Sequence, residues 1–412
     1  MKRLAVVLAA LLIGCGGCGG GDVDFRYPEK TNIKTDGQLY ESEEISLPSE
    51  LWETPKSERC PELDRGNVEG YYLASVQGTE FFAYVGLPEG ASEENRVPGV
   101  VLIHGGGGTA FSEWVEIWNK RGYAAVAMCY DGNVPTLQSG MDNTINAPAE
   151  RPHGPVFNTF SDGELPVEEQ WAYHALASVV VSHSFLRSFP EVDGTKVGVT
   201  GISRGGFLCC LAVGFDDRFA FAAPVYGALG IEETSYPYGS AFSRNPRSDA
   251  LWNTLDILRA SRTPTLFVCG SNDSYIPVAA VGRSASASRY GSVLIRQDFP
   301  HGHSHGASVE EIYTFADGIC REKAGIPHLS EQPDAQNTEL EIDLPKGVSL
   351  VSATAYYTSN EEVNALTVWF DEEQSVKGNR VIWSLPEGAS HCYLTMTDSR
   401  GQCVSTSLVS NV

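Results

Sequence analysis

The chain is 412 residues long, with 42% hydrophobic, 10% aromatic and 20% charged residues. That is enough apolar material for one large domain and a smaller companion, and too much for disorder or a coiled coil. Asp and Glu number 52 against 29 Lys and Arg, a formal net charge of −23. A surface that negative repels phosphate backbones, so it excludes a nucleic-acid partner and reads as a solubility device.

Met1, Lys2 and Arg3 precede a continuously apolar run over 4–13. The run is far shorter than the ~20 residues of a membrane span, so it reads as a secretory signal. It ends in Leu12-Ile13-Gly14-Cys15, which resembles the lipobox of bacterial lipoproteins; an ordinary signal peptide is the alternative. The resemblance implies a signal over 1–14 and a lipidated Cys15 on a flexible tether that starts in the glycines at 16–21. Gly16 in place of Asp implies sorting to the outer membrane of a Gram-negative envelope. Of the ten cysteines, Cys129, Cys209, Cys210 and Cys269 sit in apolar stretches and read as buried thiols. Cys60, Cys320, Cys392 and Cys403 are open to pairing, and no Cys/His spacing suggests zinc.

Residues 15–65, of which 22 to about 65 are rich in Pro, Glu, Thr and Lys, read as the tether followed by a surface wrap. A domain over 66–327 then opens with two β-type runs, 71–76 and 80–87, that resemble a hairpin at a sheet edge. Short, nearly continuous apolar runs follow at 100–103, 124–128, 196–200, 222–226 and 265–269, with a last strand at 293–296. Such runs belong to strands buried on both faces, hence to a mostly parallel sheet between helices. Candidate crossover helices span 112–121, 166–189, 206–213 and 307–323, giving a doubly wound α/β architecture. Long connections at 131–165 and 228–262 read as functional loops, with decorative surface loops as the alternative. Beyond Pro327, runs at 340–344, 350–357, 365–370, 381–385, 393–397 and 404–409 are separated by turn signals. They predict a small all-β sandwich over 336–412 in which Trp369 and Trp383 are core or, alternatively, face a sugar.

The strongest chemical signal is Gly201-Ile202-Ser203-Arg204-Gly205, between the strand 196–200 and a helix. A strand–turn–helix elbow with small residues around the serine lifts its hydroxyl above the sheet, which makes Ser203 the candidate nucleophile. A serine needs a base, and the base needs an orienting acid. Asp273 follows the strand 265–269 at its carboxyl end and is the candidate acid, with a turn aspartate as the alternative. The candidate base lies in Pro300-His301-Gly302-His303-Ser304-His305: His301 comes first after the strand, and His303 is the alternative. The alternating histidines also permit a metal reading, but the order Ser, Asp, His completes a triad without one. His104-Gly105-Gly106-Gly107-Gly108 follows the strand 100–103, and a glycine run lets backbone amides approach a substrate. The expected oxyanion hole is the Arg204 amide with that of Gly106 or Gly107. No Gly-Lys-Ser/Thr follows the run, against a phosphate loop.

From about Tyr71 to Lys323 these motifs together resemble an α/β-hydrolase. The set His104–Gly108, Gly-Ile-Ser-Arg-Gly-Gly, Gly-Ser-Asn-Asp and Pro-His-Gly-His resembles the acetylxylan esterase and cephalosporin-C deacetylase branch, which borders on dienelactone hydrolases and prolyl oligopeptidases. Dienelactone hydrolases use cysteine where this chain has Ser203, and too few residues precede Val100 for the propeller of prolyl oligopeptidases. The resemblance implies a serine esterase that removes acetyl or other short acyl groups from polysaccharide, with no metal or organic cofactor. Three other readings stay open. A peptidase or amidase calls for acidic or Arg clusters in the two long loops. A hydrolase of non-sugar esters calls for a closed apolar pocket involving Trp114, Trp171 and Trp252. A non-catalytic carbohydrate-binding lipoprotein calls for a disabled core.

Overall fold

The structure is a computed structural model that describes residues 25–27, 30, 33–329, 331–333 and 339–411; the expected signal segment and Cys15 lie outside them. The first strands are β1 (Ser57–Arg59), β2 (Glu69–Ala74), β3 (Glu80–Gly86), β4 (Val97–Ile103) and β5 (Ala124–Met128). A small hairpin, β6 (Asn133–Pro135) and β7 (Asn146–Pro148), precedes β8 (Val192–Ile202), β9 (Ala222–Val225), β10 (Thr265–Gly270) and β11 (Gly291–Arg296). The central sheet runs β1-β2-β3-β5-β4-β8-β9-β10-β11. From β5 to β11 all neighbours are parallel, while β1, β2 and β3 form an antiparallel edge. Every residue of β5 and β10 is buried, so both faces of the sheet are covered, as their unbroken apolar sequences require.

The covering helices are α1 (Ser112–Lys120), α2 (Trp171–Arg187), α3 (Arg204–Phe215), α4 (Pro237–Arg244), α5 (Pro246–Trp252), α6 (Asp256–Ala260), α7 (Val278–Ala287), α8 (His303–Ala307) and α9 (Glu310–Cys320). All of α2 except Arg187 is buried, which an amphipathic surface helix would not be. Its outer side lies under the N-terminal wrap, whose Ile45, Leu47, Leu51 and Trp52 join the main core. Tyr173 Oη donates to the Ser46 carbonyl and Ser184 Oγ to that of Leu51. The connection 228–262, expected as irregular, folds into three short helices; Pro237 and Pro246 sit in the first turns of α4 and α5, where a missing N–H costs nothing.

The C-terminal region contains β12 (His328–Leu329), β13 (Glu339–Asp343), β14 (Leu350–Thr358), β15 (Phe370–Glu373), β16 (Ser375–Lys377), β17 (Arg380–Ile382), β18 (His391–Asp398), β19 (Cys403–Ser405) and β20 (Val409–Ser410). Two antiparallel sheets, β12-β13-β17-β16 and β19-β18-β14-β15, share a core of Leu340, Ile342, Ala353, Val381, Trp383, Leu394 and Met396. The second sheet is fused to the central one: β19 pairs antiparallel with β11 at Ser405 and Val293, and the Ile295 amide donates to Ser405 Oγ at 3.0 Å. Residues 365–369, expected as strand, form a loop instead. Asn272 Nδ2 donates to the carbonyls of Ala365 and Thr367, and the strand starts only at Phe370. The eight described cysteines are free thiols.

Candidate active site

The order of the parallel strands reverses around β4, with β5 on one side and β8 on the other, and the carboxyl ends beside such a reversal are where open sheets bind ligands. The loop His104–Gly108 leaves β4 there, and Ser203 leaves β8. Ser203 has φ +59° and ψ −115°, a conformation costly for a side chain-bearing residue. The surrounding glycines make this elbow possible. A Cβ on Gly201 would lie 2.0 Å from the Gly205 oxygen, one on Gly205 2.1 Å from the Ile103 oxygen, and one on Gly206 2.6 Å from the Val225 oxygen. The Ser203 amide donates to the Val225 carbonyl at 2.7 Å, and the Ser203 carbonyl accepts the Phe207 amide at 3.0 Å in the first hydrogen bond of α3.

Three side chains separated in sequence meet above this turn. Ser203 Oγ donates to His301 Nε2 at 2.8 Å, and His301 Nδ1 donates to Asp273 Oδ2 at 2.7 Å. Asp273 is buried, and its other oxygen accepts the amides of Tyr275 and Ile276 at 2.7 and 2.9 Å. With both oxygens occupied, the carboxylate can neither rotate nor drift from the imidazole. The His301 ring lies between Tyr226 and Tyr275, at centroid distances of 4.4 and 4.6 Å. Tyr226 is itself fixed by donating to the Pro300 carbonyl at 2.7 Å.

The three alternating histidines do not converge. His303 Nε2 accepts the Gly105 amide at 3.0 Å, and His305 is exposed. Of the glycines considered for an oxyanion hole, Gly106 lines the cavity beside Ser203 together with Gly105, whereas Gly107, at φ +72°, does not. The Gly105 amide is already used by His303. Gly106 and Arg204 are therefore the candidates for amides that meet a developing oxyanion, and the Arg204 amide, in the first turn of α3, has no intrahelical acceptor.

The cavity over Ser203 has a volume of about 530 Å³. Phe157, Phe160, Tyr238 and Tyr275 form its aromatic walls, from the loop between β7 and α2, from α4 and from the loop after β10. Trp114, Trp171 and Trp252 are buried and do not line the cavity. The Arg204 guanidinium stacks on Phe157 at 3.7 Å and pairs with Asp131 at 2.5 Å. Asp131 also accepts Trp171 Nε1 at 2.9 Å. Burial raises the Asp131 carboxyl above its usual range, with the Arg204 charge acting against it. Asp131 carried a readable signal, since it follows a buried strand at the carboxyl end, and Phe157, Phe160 and Tyr238 lie in the two long connections read as functional; the Arg204 side chain carried none.

A family profile, that of the prolyl oligopeptidase family, matches residues 166–316, which contain Ser203, Asp273 and His301. The acetyl esterase Axe7A of Xylanibacter ruminicola is 21% identical over 244 residues, which cover 55% of this chain and 55% of that protein. The chain thus spans about half the length of this curated relative. Among solved structures, the acetyl xylan esterase of Paenibacillus sp. R4 superposes with a TM-score of 0.50 at 20% identity, covering 64% of this chain and 88% of that one. The acetyl xylan esterase 1 of Thermoanaerobacterium sp. gives a TM-score of 0.47 at 18% identity, covering 60% and 83%. Strand order, nucleophile elbow and structural likeness agree that this chain has the α/β-hydrolase fold.

Proposed function

We propose that the protein is a serine-dependent carboxylic ester hydrolase that removes acetyl or similarly short acyl groups from a carbohydrate. The observation that carries this reading is the unbroken hydrogen-bond chain from Ser203 through His301 to Asp273, with Ser203 and His301 lining the cavity. In the proposed reaction Ser203 Oγ attacks the acyl carbonyl while its proton passes to His301 Nε2. Asp273 stabilises the imidazolium, and the Gly106 and Arg204 amides receive the oxyanion. His301 then protonates the leaving alcohol, and a water deprotonated by the same nitrogen releases the acid from the acyl-serine. The carbohydrate part is supported by the likeness to an acetyl esterase, and by a cavity wide enough for a sugar ring against Phe157, Tyr238 and Tyr275.

A second reading, a peptidase of the prolyl oligopeptidase type, is favoured by the profile match over 166–316. One panel separates the two: acetylated xylan, p-nitrophenyl acetate, a long-chain p-nitrophenyl ester and a peptide anilide, with wild type and Ser203→Ala. Acetate release from xylan and p-nitrophenyl acetate that disappears in Ser203→Ala is the expected result. Serine-dependent cleavage of the anilide alone would replace the esterase reading with the peptidase one. Export and lipid anchoring through Cys15 are part of the same proposal, on the strength of the Leu-Ile-Gly-Cys motif. Metabolic labelling with palmitate, lost in Cys15→Ala, would establish the anchor.

A further inference from the structure

The second histidine of Pro-His-Gly-His has a contact that neither the nucleophile nor the base requires. His303 opens α8, and its Nε2 accepts the amide of Gly105, 198 positions away in sequence. The fit is close on two sides. A Cβ on Gly105 would lie 2.9 Å from Nε2 and one on Gly108 2.7 Å, so the imidazole reaches the loop only because both residues are glycine. On the α1 side the ring of Phe111 meets His303 edge-on at 4.9 Å. The Gly105 peptide is held at its carbonyl as well: that oxygen accepts the Gly108 amide at 3.0 Å and His104 Nδ1 at 2.7 Å. His104 is in turn stacked on Tyr130 at 4.2 Å, and Tyr130 Oη donates to the His104 carbonyl at 2.7 Å. With the Gly105 amide committed to His303, the candidate oxyanion donor of the loop is the next amide, that of Gly106, which lines the cavity.

We propose that His303 is a positioning residue that fixes the glycine loop, and with it the oxyanion hole, by accepting the Gly105 amide as a neutral imidazole protonated on Nδ1. The proposal rests on the hydrolase reading above. It ties the histidine-bearing loop to the oxyanion loop, so that base and oxyanion donors share one set of bonds. It also gives the site a second proton to exclude. A proton on His303 Nε2 would replace an acceptor by a donor facing another donor. The charged and titratable groups around it are His301 on its own loop, His104 on the glycine loop, and the Arg204 guanidinium over Gly106. Burial is the largest effect holding His303 below the usual imidazole range, and the nearby His301 acts in the same direction.

The test compares His303→Leu, which removes the acceptor, with His303→Gln, whose amide oxygen can take the place of Nε2 but cannot gain a proton. On p-nitrophenyl acetate, His303→Leu should lower kcat about 10- to 100-fold with KM nearly unchanged, less than deleting an oxyanion donor outright. His303→Gln should recover most of that loss. The acid limb of the wild-type rate should steepen from one proton to two at its low end, whereas that of His303→Gln should stay at one. Deuterium exchange over residues 104–108 should accelerate in His303→Leu and not in His303→Gln. The proposal is overturned by wild-type kcat in His303→Leu. It is equally overturned by His303→Gln being as slow as His303→Leu while both unfold at the wild-type temperature, or by unchanged exchange in His303→Leu. Exchange is informative even if the wild type turns over no ester, an outcome that would sink the hydrolase reading and not the contact.

Discussion

Asp273 uses one oxygen to hold the His301 Nδ1 proton and the other to accept two backbone amides. Replacing it by Asn leaves the shape intact but offers the imidazole an N–H where it needs an acceptor, so His301 turns to the tautomer that cannot take the Ser203 proton. Asp273→Asn is expected to lower kcat by about 10⁴-fold with a preserved melting temperature, as the same substitution does in other triads. Steady-state kinetics with p-nitrophenyl acetate checks it. The triad residues were legible because each sits in a local pattern: glycines around Ser203, a strand end before Asp273, a strand end before His301. The bond from His303 to Gly105 was not legible, because it depends on how two loops 198 residues apart are brought together by the sheet. The side chain of Arg204 was overlooked for a similar reason, since its partners Asp131 and Phe157 belong to a connection whose course no periodicity encodes.

At the level of the element, the elbow between β8 and α3 works only if the backbone of α3 can lie against the end of β4. Gly205 makes that approach, and a methyl group there would meet the Ile103 oxygen at 2.1 Å and the His104 oxygen at 2.6 Å. Both obstacles are main chain and cannot swing aside. Gly205→Ala should therefore destabilise the protein by about 3 kcal/mol or prevent its folding, the scale of an overpacked core site. Urea unfolding, or the soluble yield where no folded protein forms, measures it. The buried strands were readable from their unbroken apolar runs, and β5 and β10 lie within a residue of the expected bounds. The helices of the connection 228–262 were missed because they are five to eight residues long, too short to show a period, although Pro237 and Pro246 mark the starts of two of the three. The run 365–370 misled in the opposite direction. Its alternation of apolar residues belongs to a loop in which Leu366 and Val368 are exposed, held in place through Asn272.

Across the whole molecule, burial of titratable groups sets how stability responds to acid. Burial lowers His104 to about 3 and His328 to about 4 from 6.5, and lowers the fully buried His183 as well. The folded chain keeps these imidazoles neutral, while the unfolded chain protonates them once the pH drops below about 6.5. Their contribution to stability is thus complete above that pH and declines below it, by up to about 1.4 kcal/mol per pH unit for each group until its folded value is reached. Urea midpoints should be level from pH 8 to 7 and fall steeply between pH 6 and 4.5; a flat profile over the acid range would show that these rings accept protons in the folded state.

The fusion of the C-terminal strands to the central sheet bears on inheritance as well as on stability. Modules that meet across a linker can be exchanged between genes as cassettes. Here β11, which leads to His301, is paired with β19, and Asn272, next to Asp273, is bonded to the loop before β15. A chimera that takes its residues beyond Pro327 from a distant relative would have to bring matching partners for both, so the C-terminal region and the catalytic loops are expected to have diverged as a single block.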